Sequence, residues 1–172
     1  VVLATGGLSL PKTGSDGGGY ELAKSLGHSI VSTTPALVPL VLEGDLHTAL
    51  SGISHEVEVI IRVALEKPVR IRGPMLWTHF GVSGPAILDA SRHWHRARLD
   101  NRAVDVALNF FPGEDFASVE QRIIELAAKQ PNALLRNALT FLLPARLAEG
   151  VLATLELYPR LTTGRLTRED RR

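Results

Sequence analysis

Three segments of the chain alternate apolar and polar side chains, which is the pattern of a strand with one buried and one wet face. They span residues 54–65, 69–72 and 104–108. In the first segment, the side chains predicted to share the buried face are His55, Val57, Val59, Ile61, Val63 and Leu65. Short turns between such strands favour an antiparallel sheet, which can curl into a barrel.

The beginning of the chain carries shorter apolar runs. Residues 1–4 are predicted to form a buried strand, residues 20–26 a helix that stops at a glycine, and residues 28–32 a second strand. Together they indicate a β–loop–α–β unit. Residues 35–42 contain prolines, which cannot donate to a sheet ladder, so this segment is predicted to be an edge strand or a structured linker.

Helical patterns follow the strands. Ser118 and Gln121 form a predicted capping box, Asn132 is predicted to cap a second helix, and Pro144 fits the first turn of a third. Each of these helices has an apolar stripe, so the three are predicted to pack together. The residues beyond Pro159 carry no apolar period and are predicted to form a mobile tail.

These elements predict an α+β fold, in which an antiparallel, barrel-like β-rich subdomain is joined to a small three-helix subdomain. The β-rich part is assigned to residues 35–112, the helical part to residues 113–158 and the tail to residues 159–172. The chain starts with an apolar strand and without an initiator Met, so we expect it to be part of a longer protein.

Composition excludes several classes of function. The chain has no cysteine, so it holds no disulfide and no thiolate metal ligand, and a cytoplasmic location is expected. A net charge of +1 gives no global field that would recruit nucleic acid or an anionic membrane, and neither partner is expected. No apolar run approaches the ~20 residues of a membrane-spanning helix.

Residues 5–19 form a glycine-rich run directly before a predicted helix. Backbone N–H groups and the positive end of a helix dipole meet at such a point, where they can bind an anion or a cofactor. The run satisfies neither known nucleotide motif: Leu22 replaces the last glycine of G-x-G-x-x-G, and Tyr20 and Glu21 replace the Lys and Ser/Thr of a P-loop. From spacing alone, a glycine-rich turn entering a helix is the favoured interpretation.

A second run, residues 78–90, has a sharper geometry. Its two glycines permit close backbone approach, Ser83 can cap, and Pro85 fits the first turn of a helix. Thr78 and His79 lie just upstream, close enough to face a ligand held at the helix start. The alternative is a well-capped buried helix whose histidine is hydrogen bonded to a neighbouring carbonyl.

Other chemistry is weakly supported. His93 and His95 could supply two metal ligands, but no carboxylate or cysteine nearby completes a set, and no metal site is predicted. The arginines that surround them are typical of a basic helix C-terminus. No Ser-His-Asp order or paired carboxylates indicate a hydrolase.

In combination, the motifs resemble those of BaiN-type flavoproteins, which are NAD(P)/FAD-dependent oxidoreductases. The resemblance covers residues 1 to about 155. The segments that carry it, in order, are ATGG (4–7), PKTGS (11–15), Gly17 with Gly19 and Tyr20, LGH (26–28), PALVPL (35–40), THFG (78–81), SGPAIL (83–88) and LPARL (143–147).

The resemblance implies an insert in a FAD domain of the two-dinucleotide-binding type. Residues 1–34 would end the first FAD segment and connect it to the insert, while the flanking FAD-binding segments of the parent chain would be partners. FAD is the implied cofactor of the complete protein, together with NAD(P). The residues implied to lie at the FAD cleft are Thr5, Gly6, Gly7, Thr13, Gly14, Ser15, Gly17, Gly19, Thr78, Ser83 and Gly84.

The function implied is that of a substrate-side fragment of an oxidoreductase that transfers hydride between NAD(P)H, flavin and a small organic substrate. His79 is the predicted hydrogen-bond or proton donor to that substrate, because an imidazole can fill either role near neutral pH. Residues 5–19 and 81–84 are predicted to face one crevice. The alternative function is a non-catalytic protein-interaction module that uses the helical part.

Overall fold

The computed structural model describes residues 2–155, 157 and 160–171. The chain divides into two compact units, Val1–Pro35 and Ala36–Arg172, which are described separately. Among the described residues, no helix is long and apolar enough to cross a membrane.

The second unit is built on a five-stranded antiparallel sheet. Its strands are β1 (Leu40–Val41), β2 (Ser54–Val63), β3 (Val69–Thr78), β4 (Gly81–Ser83) and β5 (Val104–Asn109). They pair in the order β1-β4-β3-β2-β5, so β2 and β3 are central and β1 and β5 form the edges. The predicted antiparallel sheet and the edge position of the proline-flanked segment are therefore confirmed.

One helix covers the apolar face of this sheet. In chain order, α1 (Gly18–Ser25) belongs to the first unit, α2 (Leu46–Ala49) precedes β2, and α3 (Pro85–Leu99) follows β4. The buried core that sheet and helices share consists of Leu50, Val57, Val59, Ile61, Met75, Trp77, Val82, Ala86, Ile87, Ala90 and Leu147. The α+β class predicted from the sequence is confirmed, and α3 ends at Leu99 with Arg96 and Arg98 in its last turn, as the interpretation of these arginines as a basic helix C-terminus expects.

The alternation predicted for residues 54–65 is right for Val57, Val59 and Ile61 and wrong for Leu65, Glu58 and Ile60. Leu65 is fully exposed, because it lies in the turn after β2 with a φ of +68°. Glu58 and Ile60 belong to the face predicted to be wet, yet both are buried. Glu58 is buried because two arginines of β3 cover it, a contact between strands that the pattern along one strand does not contain.

The helical part contains α4 (Phe116–Lys129), α5 (Leu135–Leu139) and α6 (Ala145–Thr154), so the three predicted helices are confirmed. Their caps differ from the prediction. Asp115 caps α4 by accepting a hydrogen bond from the Ser118 N–H at 2.9 Å, which places Ser118 inside the helix. Residue 134, and not Asn132, is the N-cap of α5, without a side-chain cap, and Pro144 is the N-cap of α6.

The predicted mobile tail is wrong for residues 160–171. The Leu161 carbonyl accepts from the Leu135 N–H at 2.8 Å, and the Thr163 N–H donates to the Ala133 carbonyl at 3.0 Å. A short 3-10 helix (Thr163–Arg165) follows, and Thr163 is buried. Backbone pairing with the loop before α5 therefore orders a segment that has no apolar period of its own. Pro159, where the predicted tail begins, lies outside the described residues.

The first unit contains α1 and a 3-10 helix (Pro11–Thr13). The helix predicted at 20–26 is confirmed, but the strands predicted at 1–4 and 28–32 are absent from the described residues. Residue 1 itself lies outside those residues. An isolated strand is not stable without a hydrogen-bonded neighbour, and the described sheet contains no strand from this unit.

Candidate functional site

The predicted site residues fall into two groups, one in each unit. Thr5 to Gly19 belong to the first unit, and Thr78 to Gly84 belong to the second. Each group has a geometry of its own. The prediction that they face one crevice stays a prediction.

In the first unit, residues 5–7 fold back onto the glycine-rich loop. The Gly17 N–H donates to the Gly7 carbonyl at 3.0 Å. A Cβ on Gly19 would overlap the Thr5 hydroxyl, and a Cβ on Gly6 would lie 2.9 Å from the Ser15 hydroxyl. The structure therefore brings these predicted residues together, and two of the glycines are explained by close packing within the loop.

Several amides at the start of α1 already have acceptors inside the loop. The Gly18 N–H donates to the Asp16 carboxylate at 3.0 Å, and the Tyr20 N–H donates to the Gly17 carbonyl at 2.9 Å. Asp16 thus places a negative charge where a phosphate would otherwise bind. This helix start does not fit the pyrophosphate of FAD.

A different part of the loop is open. Gly14 has a φ of +93°, and a Cβ built on it would meet no atom within 4 Å. Next to it, Thr13 donates its hydroxyl to the Leu10 carbonyl at 2.9 Å, which fixes the turn. Residues 13–15 therefore fit a wall against which a planar group such as a flavin ring can lie, because exposed backbone and small side chains allow close approach.

In the second unit, the predicted residues form the hairpin between β3 and β4. Thr78 pairs with Gly81, and the Thr78 hydroxyl donates to the Gly81 carbonyl at 3.1 Å. His79 and Phe80 form the two-residue tip, with ring centroids 5.0 Å apart in an edge-to-face arrangement. His79 is exposed, whereas the helix that follows has a buried face, so the alternative is right about the buried helix.

The glycines of this hairpin are required by the sheet. A Cβ on Gly81 would overlap the Leu40 carbonyl of β1. A Cβ on Gly84, whose φ is +92°, would lie 2.9–3.1 Å from three backbone atoms of β3. Ser83 lies in β4 opposite Leu76 and makes no capping hydrogen bond, so its predicted capping role is wrong and Gly84 is the N-cap of α3.

An aromatic cluster that the sequence did not single out lies beside this hairpin on β2 and β3. The Trp77 indole N–H donates to His55 Nε2 at 3.1 Å, and the Phe110 ring packs against both rings. Because Nε2 accepts, Nδ1 carries the proton and donates to the Glu56 carbonyl at 3.2 Å. Burial lowers the pKa of His55, and the neutral imidazole is the form held here.

The outer face of the sheet carries a buried carboxylate. Arg72 Nε and Arg70 Nη1 each donate to Glu58 at 2.8 Å, and Glu58 is only 2% exposed. The hydrogen bond from Arg72 is the largest cause that lowers the pKa of Glu58. Both arginines are more than half exposed, and their ion pairs with Glu58 brace the two central strands.

Comparison with known proteins places this architecture in a family. Residues 34–172 match the family model described as "HI0933-like protein barrel and H2TH domain". The chain belongs to the HI0933-like family. The antiparallel sheet and the helices that follow it fit that description, and the resemblance to BaiN-type flavoproteins found in the motifs is confirmed.

Curated relatives of this HI0933-like chain carry two kinds of name. The ribosomal RNA dihydrouridine synthases of Escherichia coli and Haemophilus influenzae are each 34% identical, over 87% of this chain and 35% and 34% of their own lengths. The 3-dehydro-bile acid delta(4,6)-reductase of Clostridium scindens is 29% identical over 88% of this chain and 37% of its own length. The chain therefore spans about a third of these relatives.

Sequence analysis of this HI0933-like chain missed two clusters. His55 was correctly placed on the inward face, but its partner Trp77 lies on the neighbouring strand, and only the strand register joins them. Glu58 was placed on the wet face. Arg70 and Arg72 alternate along the next strand, but only the strand register places Arg72 opposite Glu58 and Arg70 diagonal to it.

Proposed function

We propose that this HI0933-like chain is the substrate-side insert of a FAD-dependent oxidoreductase. In this proposal, residues 1–34 belong to a FAD domain whose other segments lie elsewhere in the parent protein. The family match supports the proposal, and so do relatives that are about two and a half times as long as the chain.

The observation that carries the proposal is the exposed apolar surface of the first unit. No apolar side chain among residues 2–35 is buried. The large apolar residues that are exposed there are Val2, Leu3, Leu8, Leu10, Leu22, Leu26 and Val31. A unit of this size without a core is not stable alone, and this many exposed apolar side chains favour another segment that packs on them. The rest of a FAD domain is the proposed cover.

FAD, when bound, would carry hydride between NAD(P)H and the substrate. The open turn at residues 13–15 is the part of this chain that we propose lies against the flavin. Residues 5–7 support that turn from behind by packing on the loop. Thr78, Ser83 and Gly84 are proposed to lie at the FAD cleft of the complete protein, as the family resemblance implies.

The names of the relatives suggest the reaction class. A dihydrouridine synthase adds two hydrogens to uridine, and a delta(4,6)-reductase reduces carbon–carbon double bonds. We therefore propose that the parent protein reduces a carbon–carbon double bond conjugated to a carbonyl in a small organic substrate. Such a reduction adds hydride at one carbon and a proton at the other. His79, exposed at the hairpin tip, is the proposed source of the proton.

Absorbance of the purified parent protein tests the assignment. We expect flavin bands in the visible spectrum, whereas a colourless parent that takes up no FAD on reconstitution would refute it. The 172-residue chain alone is expected to quench FAD fluorescence weakly or not at all. The helix start that faces Asp16 does not fit a pyrophosphate, so micromolar binding by this chain would contradict the geometry described above.

A kinetic experiment tests His79 separately. In the parent protein, His79→Ala is expected to slow reoxidation of the reduced flavin by the substrate about 10²-fold or more, because a positioned general acid contributes that much. Flavin reduction by NAD(P)H should not change. His93→Ala, a second histidine of the same unit, is the matched control. Equal rates in His79→Ala and His93→Ala would remove His79 from the mechanism.

A second candidate substrate is uridine in ribosomal RNA. The names of the two relatives at 34% identity favour this substrate. From the net charge of +1 we expected no nucleic-acid partner, and that expectation stays a prediction. Loss of dihydrouridine from the ribosomal RNA of a deletion strain would support this substrate, and an unchanged content would exclude it. The cytoplasmic location that we propose for the parent protein gives access to either substrate.

The alternative of a non-catalytic interaction module rests on exposed aromatic residues of the helical part. Phe116 is 54% exposed and Phe141 is 69% exposed, and such side chains are common anchors at protein interfaces. A colourless parent that binds a protein partner, with the binding lost in Phe141→Ala, would favour the module. If the parent protein contains flavin, the surface around Phe116 and Phe141 is at most a secondary binding surface of an oxidoreductase.

A further inference from the structure

Charge is unevenly distributed in the helical part, although the chain as a whole carries only +1. Residues 113–128, which contain most of α4, have one basic and four acidic side chains, a net charge of −3. Residues 129–172, from the last residue of α4 onwards, have eight basic and four acidic side chains, a net charge of +4. The small net charge of the whole chain is therefore compatible with a locally positive surface.

The segment after α6 is held against the loop between α4 and α5 by backbone hydrogen bonds. The Leu135 N–H donates to the Leu161 carbonyl at 2.8 Å, and the Gly164 N–H donates to the Pro131 carbonyl at 2.9 Å. Thr163, which lies between these two bonds, is buried. The segment therefore runs antiparallel to the loop in a fixed register.

This pairing brings four basic side chains together, two at each end of the paired segment. Arg160 and Arg136 are each one residue from the hydrogen bond at one end. At the other end, Arg165 is one residue and Lys129 is two residues from the hydrogen-bonded pair. The partly extended chain from Arg160 to Arg165 spans about 10–15 Å. We refer to these four residues as the basic patch.

The basic patch is open to solvent. All four of its side chains are exposed, and none of them forms an ion pair with another described residue. Glu149 of α6 lines the same small pocket as Arg136, yet no ion pair joins the two. Arg171, by contrast, is paired with Glu120 at 3.3 Å and does not belong to the patch. A cluster of exposed cations without counter-charges is typical of a surface that binds a polyanion.

We propose that the basic patch binds the phosphate backbone of an RNA strand that carries the uridine to be reduced. The assignment rests on the second candidate substrate described above and adds the place where the strand is held. Three of the four cations are arginines, whose planar guanidinium groups form paired hydrogen bonds with phosphates and stack on bases. Enzymes that modify a base act on a single strand or on a base that has left its duplex, so the strand at the patch is unpaired.

Fluorescence anisotropy of a labelled single-stranded RNA of about 12 nucleotides tests the proposal with the 172-residue chain. If the four cations contact four phosphates, the logarithm of the binding constant should fall with the logarithm of the salt concentration with a slope of about −3. Poly-L-glutamate should displace the RNA only at an about tenfold higher concentration of charge, because carboxylates do not stack on arginine as bases do. Absent binding at low salt would overturn the proposal, and so would displacement at equal charge, which would favour an acidic protein as partner.

Variants locate the contacts. Arg160→Ala and Arg165→Ala should each weaken RNA binding about three- to tenfold at about 0.1 M salt and make the salt dependence less steep by about 0.7. Lys67→Ala is the matched control, because Lys67 is exposed in the loop between β2 and β3, outside the patch. Glu149→Gln removes a negative charge near Arg136 and should strengthen binding about two- to threefold. Equal effects of Arg165→Ala and Lys67→Ala would refute the assignment of the patch.

Folding and substrate identity are controlled separately. All of these substitutions are at exposed positions, so the midpoint of urea denaturation should not change. The binding measurement involves neither flavin nor reduction. If binding fails while a deletion strain loses dihydrouridine, the patch is wrong and the substrate stands. If the patch binds RNA while the strain keeps its dihydrouridine, the substrate is wrong, and the patch remains an RNA-binding surface.

Discussion

Gly84 offers a sharp test of whether the glycines of the second run serve the sheet or a ligand. Its φ is +92°, and a Cβ would lie 2.9 Å from the Pro74 carbonyl oxygen, 3.0 Å from the Leu76 nitrogen and 3.1 Å from the Met75 Cα. All three atoms belong to the backbone of β3, which is fixed by pairing on both sides. They cannot move aside without breaking the ladder.

Gly52 is the matched control in the same unit. Its φ is +88°, nearly that of Gly84, but a Cβ would meet no atom within 4 Å. Gly52→Ala should therefore lower the free energy of unfolding only by the left-handed backbone penalty, about 1–2 kcal/mol. Gly84 also has a ψ of 165°, in a backbone region open essentially only to glycine. Gly84→Ala therefore adds a larger backbone penalty as well as the overlap with β3, which together raise the expected loss by about 1–3 kcal/mol.

Urea denaturation followed by tryptophan fluorescence measures both variants, since Trp77 is buried in the core of this unit. We expect a clearly lower midpoint for Gly84→Ala than for Gly52→Ala at an unchanged slope. Equal losses in the two variants would refute the packing argument.

Three further outcomes are expected from the side-chain contacts. Burial lowers the pKa of His55, so below its ordinary value of 6.5 the unfolded chain binds a proton that the folded chain does not. The free energy of unfolding should therefore decrease as the pH falls from about 7 to 5.5. His55→Gln should make this pH dependence flatter. Glu58→Gln should lower the free energy of unfolding by about 1–2 kcal/mol, a value reduced by the exposure of both arginine partners. Ser91→Ala should cost about 1–2 kcal/mol and speed hydrogen exchange at the Leu37 and Val38 amides, which donate to its hydroxyl.

The chain supplies a control for each. Glu56 is exposed on β2, so Glu56→Gln should change stability by less than about 0.5 kcal/mol. Ser83→Ala should be similarly mild, because Ser83 does not cap α3. Because the pKa of Glu58 is lowered from its ordinary 4.5, this carboxylate changes the free energy of unfolding only below about pH 4.5. If the free energy of unfolding of His55→Gln still fell between pH 7 and 5.5, the assignment of that pH dependence to His55 would be contradicted.

The candidate site was partly accessible to sequence reasoning. Motif order was sufficient to identify the family and to place Thr78, His79 and the two glycines in one short segment. The sequence could not show why each position must be glycine, because the reason is the backbone of a distant strand that packs against it. For Gly81 that backbone is β1, about forty residues earlier in the chain. The same limit applies to the His55–Trp77 pair, which the strand register creates.

The sequence by itself determined the strand and helix types, the apolar face of β2 and the antiparallel pairing, because these follow from the spacing of apolar side chains over a few residues. Only the tertiary structure decided the burial of Glu58, the order of residues 160–171 and the basic patch that this order creates. Each of these features depends on contacts between segments that are distant in the sequence, and the spacing of apolar residues within one segment does not predict such contacts. For the same reason, the strands predicted in the first unit did not form: a strand requires a partner, and among the described residues that unit has none.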